Sequence, residues 1–159
     1  MQEKLKRALE GCYVTVPTPF EDSDGLPVNE AALRSYVRFL LEGGLTAEYA
    51  TFLAGGAAGD FSTMTFDERL RVASIVVDEV KGRVPVAMGA QTTSTLELVR
   101  LAKAAKRLGA TFIQSPAHFT SRIQKVILKA IFDPLLKLNQ NWVSSSTTPF
   151  GQARIFHLV

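Results

Sequence analysis

The sequence predicts an α/β fold in which helices cover a parallel sheet. Over the first 116 residues, short continuous apolar runs alternate with amphipathic stretches in units of about 25 to 35 residues. Hairpin signals are missing between the apolar runs, and such runs are typical of strands that are buried on both faces. The pattern predicts four strand-and-helix units, but it does not distinguish an open doubly wound sheet from a closed (β/α)8 barrel.

The first unit begins with the apolar residues 12–16, which predict a strand. The strand ends at Pro17-Thr18-Pro19-Phe20, because proline cannot donate a hydrogen bond to a sheet. Asn29 is a suitable N-cap for a helix that ends at Gly43-Gly44. The spacing i, i+3, i+4 predicts one buried stripe on this helix: Leu33, Tyr36, Val37, Leu40 and Leu41.

The second unit joins a strand at 50–54 to a helix through the glycine-rich turn 55–61. Thr65 and Glu68 have the T-x-x-E spacing of a capping box, in which a hydroxyl and a carboxylate satisfy free backbone N–H groups at a helix start. The helix is predicted to run from Thr65 to about Val80. Its predicted inward residues are Leu70, Ala73, Val76, Val77 and Val80. The glycines allow the turn to approach a ligand closely.

The third and fourth units repeat this pattern. A strand at 84–88 opens onto the loop 89–93, and a fourth strand follows at 110–114. Between them, Ser94 and Glu97 have the spacing of a second capping box. The helix that they begin has the predicted buried stripe Leu98, Leu101, Ala102, Ala105 and Leu108.

Residues 117–159 are predicted to form a divergent tail with a helix at 121–131 and a fifth strand at 142–146. The tail holds one acidic residue, Asp133, and five basic ones: Arg122, Lys125, Lys129, Lys137 and Arg154. A nucleic-acid-binding tail is one interpretation of this surplus. The charges are spread singly among apolar residues, however, as on a solvated helix face, so we predict no nucleic-acid partner.

The composition argues against several classes of protein. The sequence has no run of 18 or more apolar residues, and its start lacks the apolar segment of a secretory signal, so we expect no membrane partner. A single cysteine, Cys12, excludes an internal disulfide and fits the cytoplasm. Neither His118 nor His157 has a paired acid or cysteine nearby, which argues against a metal site or a Ser-His-Asp triad. With no P-loop and no dinucleotide motif, no cofactor is predicted.

The glycine turn is part of a longer motif. From Gly56 onward the sequence reads G-x-x-G-[DE]-F-S-x-[ML]-T-x-x-E-R, after Thr18-Pro19-Phe20 and before Val84-Pro85-Val86 and Gly89-Ala90-Gln91. In order and spacing these motifs resemble the dihydrodipicolinate synthase and N-acetylneuraminate lyase family over roughly residues 11–116. The resemblance implies a (β/α)8 barrel. Because a complete barrel needs about 250 residues, it further implies a truncated barrel of four to five βα units, with its N-terminal half in residues 1–116 and a possible fifth strand in the tail.

Members of this family are class I aldolases and lyases, in which a lysine at the C-terminal end of a barrel strand forms a Schiff base with pyruvate or a related 2-keto acid. No lysine of this sequence is predicted at such a place: they are Lys4, Lys6, Lys81, Lys103, Lys106, Lys125, Lys129 and Lys137. The family-like motifs fade after Pro116. Thr147-Thr148-Pro149 falls where the family has Tyr-Asn-x-Pro, which places Ser146 at the position of the catalytic tyrosine. We therefore expect no catalytic residue here and a chain that is inactive alone.

The resemblance also implies a binding site for the substrate carboxylate. Its members are the backbone N–H groups of the turn, at Gly56, Ala57, Ala58 and Gly59. Many members of the family carry two hydroxyl residues where this chain has Ala57 and Ala58, so two side-chain donors are lost. Either the substrate differs from the commoner ones, or Ser62 and Thr63 serve instead.

Loops after the strand C-termini carry the site in a barrel, and three of their residues are predicted to line the pocket: Thr18, Gly89 and Ser115. The three tyrosines, Tyr13, Tyr36 and Tyr49, are interpreted as core residues. An alternative function is a non-catalytic half-barrel that binds a partner or assembles with itself, because the first and last strands of a half-barrel have unpaired edges. On either hypothesis we expect a homo-oligomer, and the partner of the site is a small 2-keto acid.

Overall fold

The computed structural model describes residues 11–116 and the backbone of residues 153–157. Four parallel strands alternate with three helices along the chain. The strands are β1 (Cys12–Val16), β2 (Ala50–Ala54), β3 (Val86–Gly89) and β4 (Phe112–Pro116), and the helices are α1 (Glu30–Glu42), α2 (Phe66–Val80) and α3 (Thr95–Leu108). Each strand pairs with the next one in sequence. The predicted α/β fold with a parallel sheet is confirmed.

Strands β3 and β4 each begin two residues later than predicted. The chain between α3 and β4 explains the second shift, because the Ala110 N–H still donates to the Ala105 carbonyl of the helix at 3.0 Å. The next residue, Thr111, donates to the Val86 carbonyl at 2.7 Å and brings the chain to the sheet. The helix cap therefore delays the strand.

The two faces of the sheet bury different apolar clusters, as the alternation of side chains along a strand requires. Val16, Phe52, Met88 and Ile113 face the helices and belong to the main core. On the opposite face, the paired residues Leu53, Ala87 and Phe112 form a second cluster, and Tyr13 packs against it. Both faces being buried is the physical reason why the strands read as continuous apolar runs.

The predicted helix stripes are confirmed at their centres and are wrong at their margins. Leu33 and Val37 of α1 are fully buried, but Tyr36 is 37% exposed and stacks obliquely on the exposed Phe39. Tyr49 is 61% exposed, so the interpretation of the tyrosines as core residues is wrong for both Tyr36 and Tyr49. Burial leaves the Tyr13 hydroxyl without a partner among the described residues and raises its pKa.

Helix α2 buries a wider arc than predicted, because it contacts both neighbouring helices as well as strands β2 and β3. Its buried residues are Arg69, Val72, Ala73, Ile75, Val76 and Val80, whereas the predicted Leu70 and Val77 are only half-buried. In α3 the predicted residues are buried except for Leu108, which is half-buried, and Ala104 joins them.

Three N-caps begin the helices at the predicted residues. Asn29 Oδ1 accepts the Ala32 N–H at 2.9 Å, and the capping box of Thr65 and Glu68 is complete. The second predicted capping box is only half formed. Ser94 Oγ accepts the Glu97 N–H at 3.3 Å, but the Glu97 carboxylate accepts the Thr92 hydroxyl at 2.6 Å instead of the Ser94 N–H. Thr92 Oγ1 accepts that N–H at 3.1 Å.

The fifth strand of the sheet, β5 (Ala153–His157), pairs antiparallel with β4. The fifth strand was predicted at 142–146, as a continuation of the parallel repeat. An antiparallel edge strand needs no helix before it and has no place in that repeat pattern. The predicted strand at 142–146, the helix at 121–131, Ser146 and His118 lie outside the described residues. In the described part of the chain, no helix is long and apolar enough to cross a membrane.

Candidate functional site

The C-terminal ends of the four parallel strands lie along one edge of the sheet. Val16 pairs with Ala54, Ala54 with Met88, and Met88 with Ile113, so the loops that follow these strands emerge side by side. The predicted site residues of the first four units are therefore brought to the same edge. Helices cover one face of the sheet near this edge. The turn 55–61 lies over the C-terminal ends of β1 and β2.

The turn 55–61 consists of a glycine bend and one turn of 3-10 helix, Ala57–Gly59. Gly55 enters it at a φ of +61°, and Asp60 leaves it in the left-handed conformation at a φ of +57°. The Gly59 N–H donates to the Gly56 carbonyl at 2.9 Å, which closes the turn. Ala57 and Ala58 are exposed at its tip, and their N–H groups have no partner among the residues that the structure describes. These two N–H groups are available to an anion.

Thr18 attaches the loop after β1 to this turn. Its hydroxyl donates to the Gly59 carbonyl at 2.8 Å, and the residue is 95% buried, with 5% of its surface exposed. A β-carbon at Gly59 would lie 2.8 Å from the Val16 carbonyl oxygen, so only glycine permits this close approach. Thr18, which was predicted to line the pocket, therefore holds the end of the turn by this hydrogen bond.

Gly89 makes a similar close contact at the other end of the turn. A β-carbon on Gly89 would overlap the Gly55 carbonyl oxygen, so the end of β3 packs directly against the first residue of the turn. The Gly89 carbonyl accepts a hydrogen bond from Arg69 Nη2 at 3.0 Å. Gly89 therefore connects the turn to β3 on one side and to α2 on the other.

Arg69 is a functional candidate that was not predicted as a site residue, although it ends the motif that begins at Gly56. Only 5% of its surface is exposed, and its guanidinium carbon lies 5.5 Å from the centre of the Phe61 ring. Removal from water lowers the pKa of the guanidinium, and the charge of Glu97 partly opposes this effect. The signal was present in the sequence, because Arg69 falls on the apolar stripe that Val72, Ala73 and Val76 define.

Strands β3 and β4 contribute buried polar groups to the same edge. Gln91 Nε2 donates to Gln114 Oε1 at 2.7 Å, and the Gln114 carbonyl accepts the Ala90 N–H at 2.8 Å. Ser115 is 2% exposed. Its hydroxyl and Gln91 Oε1 have no partner within the described part of the chain. The edge therefore combines free donors on the turn with unsatisfied polar atoms on β3 and β4.

No described lysine lies at this edge. Lys81 caps the C-terminus of α2, and Lys103 and Lys106 lie on α3. Residues 11–116 also contain no group of three or more His, Cys, Asp or Glu side chains that could hold a metal ion. Within the described residues, the edge has the parts of an anion-binding site and no amine nucleophile.

Comparison with known proteins identifies the family. A family model described as the dihydrodipicolinate synthetase family matches residues 8–121. The chain belongs to this family. One curated relative, the 4-hydroxy-tetrahydrodipicolinate synthase of Chloroherpeton thalassium, is 38% identical over 117 residues, which are 74% of this chain and 37% of the relative. The chain thus spans about a third of the length of the curated relatives it matches.

Solved structures of the dihydrodipicolinate synthase family agree with the fold. The enzyme of Bacillus clausii superposes with a TM-score of 0.67 at 24% identity, over 82% of this chain and 44% of that one. The chloride-inhibited synthase of Acinetobacter baumannii, solved in complex with pyruvate, superposes with a TM-score of 0.57 at 32% identity, over 64% of this chain and 33% of that one. The described sheet and helices form part of a (β/α)8 barrel of this family, as predicted.

Proposed function

We propose that residues 11–116 supply the carboxylate-binding side of a lyase or aldolase site that acts on pyruvate or a related 2-keto acid. The observation that carries this proposal is the free pair of N–H groups at Ala57 and Ala58, on a turn held at the C-terminal edge of the sheet. Family membership supports it, as does the bound pyruvate of the Acinetobacter baumannii relative. Thr18, Gly89 and Ser115 surround the ligand in this proposal.

The substrate carboxylate binds through the backbone N–H groups of Ala57 and Ala58, because the predicted donor Gly59 N–H is already bonded to the Gly56 carbonyl. Ala57 and Ala58 themselves offer no hydroxyl groups. Each hydrogen bond to a charged group is worth about 1.5 to 3 kcal/mol, so this turn binds the carboxylate more weakly than one with two added hydroxyls. Ser62 is the better substitute donor. It is exposed, whereas the Thr63 hydroxyl already donates to the Asp60 carbonyl at 2.9 Å.

The second part of the proposal is that this chain forms no Schiff base by itself. A lysine that attacks a ketone must be desolvated at the site, which keeps its amine neutral. Lys81 and Lys103 are exposed and belong to helices, away from the strand ends. Neither the amine nor the proton-transferring tyrosine of a complete site is predicted in this sequence, so on this proposal both would come from another chain.

Trapping with borohydride tests this part directly. The 159-residue chain is incubated with pyruvate and sodium borohydride, and its intact mass is compared with that of a sample treated with borohydride alone. We expect identical masses, because the described lysines lie away from the strand ends and the sequence predicts none of the others at the C-terminal end of a strand. A pyruvate-dependent mass increase that maps to one lysine would refute the proposal.

A second candidate function is assembly of the half-barrel with another copy. Strand β1 pairs only with β2 among the described residues, so its other edge is free to pair with a further strand. On this proposal the protein is a homo-oligomer. Sedimentation velocity over a range of concentrations should then show a mass that rises to at least a dimer, and a monomer at every concentration would dispose of this candidate.

A further inference from the structure

Arg69 is a buried cation that does not bind the substrate carboxylate directly in the proposed site. It lies in the first turns of α2, and its Nη2 donates to the Gly89 carbonyl at 3.0 Å. Its Nε is buried and has no partner among the described residues. Removing a guanidinium from water costs free energy unless its contacts compensate for the loss of hydration. The burial of Arg69 therefore needs a functional explanation.

The contacts of Arg69 reach both ends of the turn 55–61. At the start of the turn, the Gly55 carbonyl packs against Gly89, whose own carbonyl accepts the arginine. At the end of the turn, the Phe61 ring lies under the guanidinium at 5.5 Å. The Gly56 carbonyl accepts the N–H groups of both Gly59 and Phe61, at 2.9 and 3.4 Å, so the tip of the turn is connected to these two ends.

A nearby carboxylate partly offsets the cost of burying the guanidinium. Glu97 at the start of α3 interacts favourably with Arg69 and offsets part of the desolvation that lowers its pKa. The Glu97 carboxylate is itself held by the Thr92 hydroxyl, in the loop after β3. Arg69 thus lies between two loops. It contacts Phe61 in the loop after β2, and it interacts with the charge of Glu97, whose carboxylate is bound by Thr92 in the loop after β3.

We propose that Arg69 is the positioning residue of the carboxylate site. It holds the glycine turn and the end of β3 in the geometry that points the N–H groups of Ala57 and Ala58 at the ligand. The ligand part of this inference rests on the proposed function, while the effect of Arg69 on the turn does not. An apolar side chain at this position leaves the turn attached to β3 through the contact between Gly55 and Gly89 alone.

The experiment uses the 159-residue chain with Arg69→Met and Arg69→Lys, and Arg83→Met as the matched control. Arg83 also donates to backbone carbonyls, those of Glu79 and Val80, but it lies at the opposite end of α2. Two quantities are measured by NMR: amide hydrogen exchange of residues 55–61, and the dissociation constant for pyruvate. A merely structural residue would change global stability without changing the affinity of the folded protein.

We expect Arg69→Met to accelerate exchange in the turn about tenfold relative to strand β1, and to weaken pyruvate binding about tenfold, as the loss of one buried hydrogen bond predicts. Arg69→Lys should restore part of both effects, because an ammonium still reaches one carbonyl but does not stack on Phe61. Arg83→Met should leave both quantities unchanged. Unchanged turn exchange in a folded Arg69→Met protein would overturn the proposal.

Two further outcomes are informative. If Arg69→Met does not fold, Phe61→Leu removes the ring under the guanidinium while keeping an apolar side chain, and it should accelerate exchange in the same residues. Unaltered exchange in that variant would count against the proposal. If the unmodified chain binds no pyruvate, the proposed function fails, but the exchange data still decide whether Arg69 positions the turn.

Discussion

At the scale of single residues, the candidate site depends on contacts that tolerate almost no added volume. Gly59 lies against the Val16 carbonyl, and Gly89 against the Gly55 carbonyl. The Thr18 hydroxyl joins the first of these contacts to the loop after β1. The geometry of the turn is therefore fixed by close contacts with the backbone of Val16 and Gly89 and by one hydrogen bond from Thr18. The tip of the turn carries few side chains.

Thr18→Val removes the buried hydrogen bond to the Gly59 carbonyl while preserving the shape of the side chain. We expect the free energy of unfolding to fall by about 1 to 3 kcal/mol, because the carbonyl is left unsatisfied in a buried site. Chemical denaturation measures this change. Thr63→Val is the matched control: it removes the same kind of bond, to the Asp60 carbonyl, at an exposed position. Equal losses in the two variants would contradict the role of Thr18.

The sequence predicted that these loops lie together, but it did not predict what each residue does. Gly56, Gly59 and Gly89 were placed at one edge because the family resemblance implies a barrel, in which the loops after the strand C-termini meet. The hydrogen bonds from Thr18 and from Arg69 connect residues 41 and 20 positions apart, so they depend on tertiary packing that local patterns do not encode. Two signals were available for Arg69: it is a charged residue on an apolar stripe, and it is the last residue of the motif that begins at Gly56.

At the scale of elements, helices α1 and α2 are joined by a group of ion pairs around Glu79. Arg34 and Arg38 approach its two carboxylate oxygens at 3.3 and 3.2 Å. Burial opposes ionisation of Glu79, but the two arginines outweigh it, and the pKa of this carboxyl lies below its ordinary value of 4.5. On the same helix pair, Arg71 contacts Glu30.

Glu79 makes the stability of the helix pair depend on pH. A carboxyl with a lowered pKa stabilises the folded state while it is ionised, so its contribution is complete above pH 4.5 and is lost as the pH falls through the lowered value. We expect Glu79→Gln to reduce the free energy of unfolding at pH 7 by about 0.5 to 1 kcal/mol. This difference should shrink below pH 4.5.

Denaturation at several pH values measures this dependence. The control is Glu48→Gln, since Glu48 is exposed and has no ion pair with a described residue. A difference between unmodified protein and Glu79→Gln that stays constant from pH 7 to pH 3 would show that the ion pairs do not carry it. The sequence predicted the caps of these helices, because caps are local. It could not predict which charges meet across α1 and α2.

At the scale of the whole molecule, the repeat of strand and helix was readable because strands β2 and β3 and residues 112–115 of β4 are buried on both faces. The repeat did not predict the antiparallel strand β5, which continues the sheet beyond β4. Family membership and the similarity to solved synthases place residues 11–116 in a partial barrel. On the account proposed above, one edge of the partial barrel presents a turn that binds an anion, and no described lysine lies beside it.

An NMR titration with pyruvate, and in parallel with its uncharged methyl ester, tests that account most directly. The account predicts saturable shifts of the Ala57 and Ala58 amide signals with pyruvate and none with methyl pyruvate, because the turn binds the carboxylate. Absence of shifts at these two amides, or equal shifts with the ester, would contradict it.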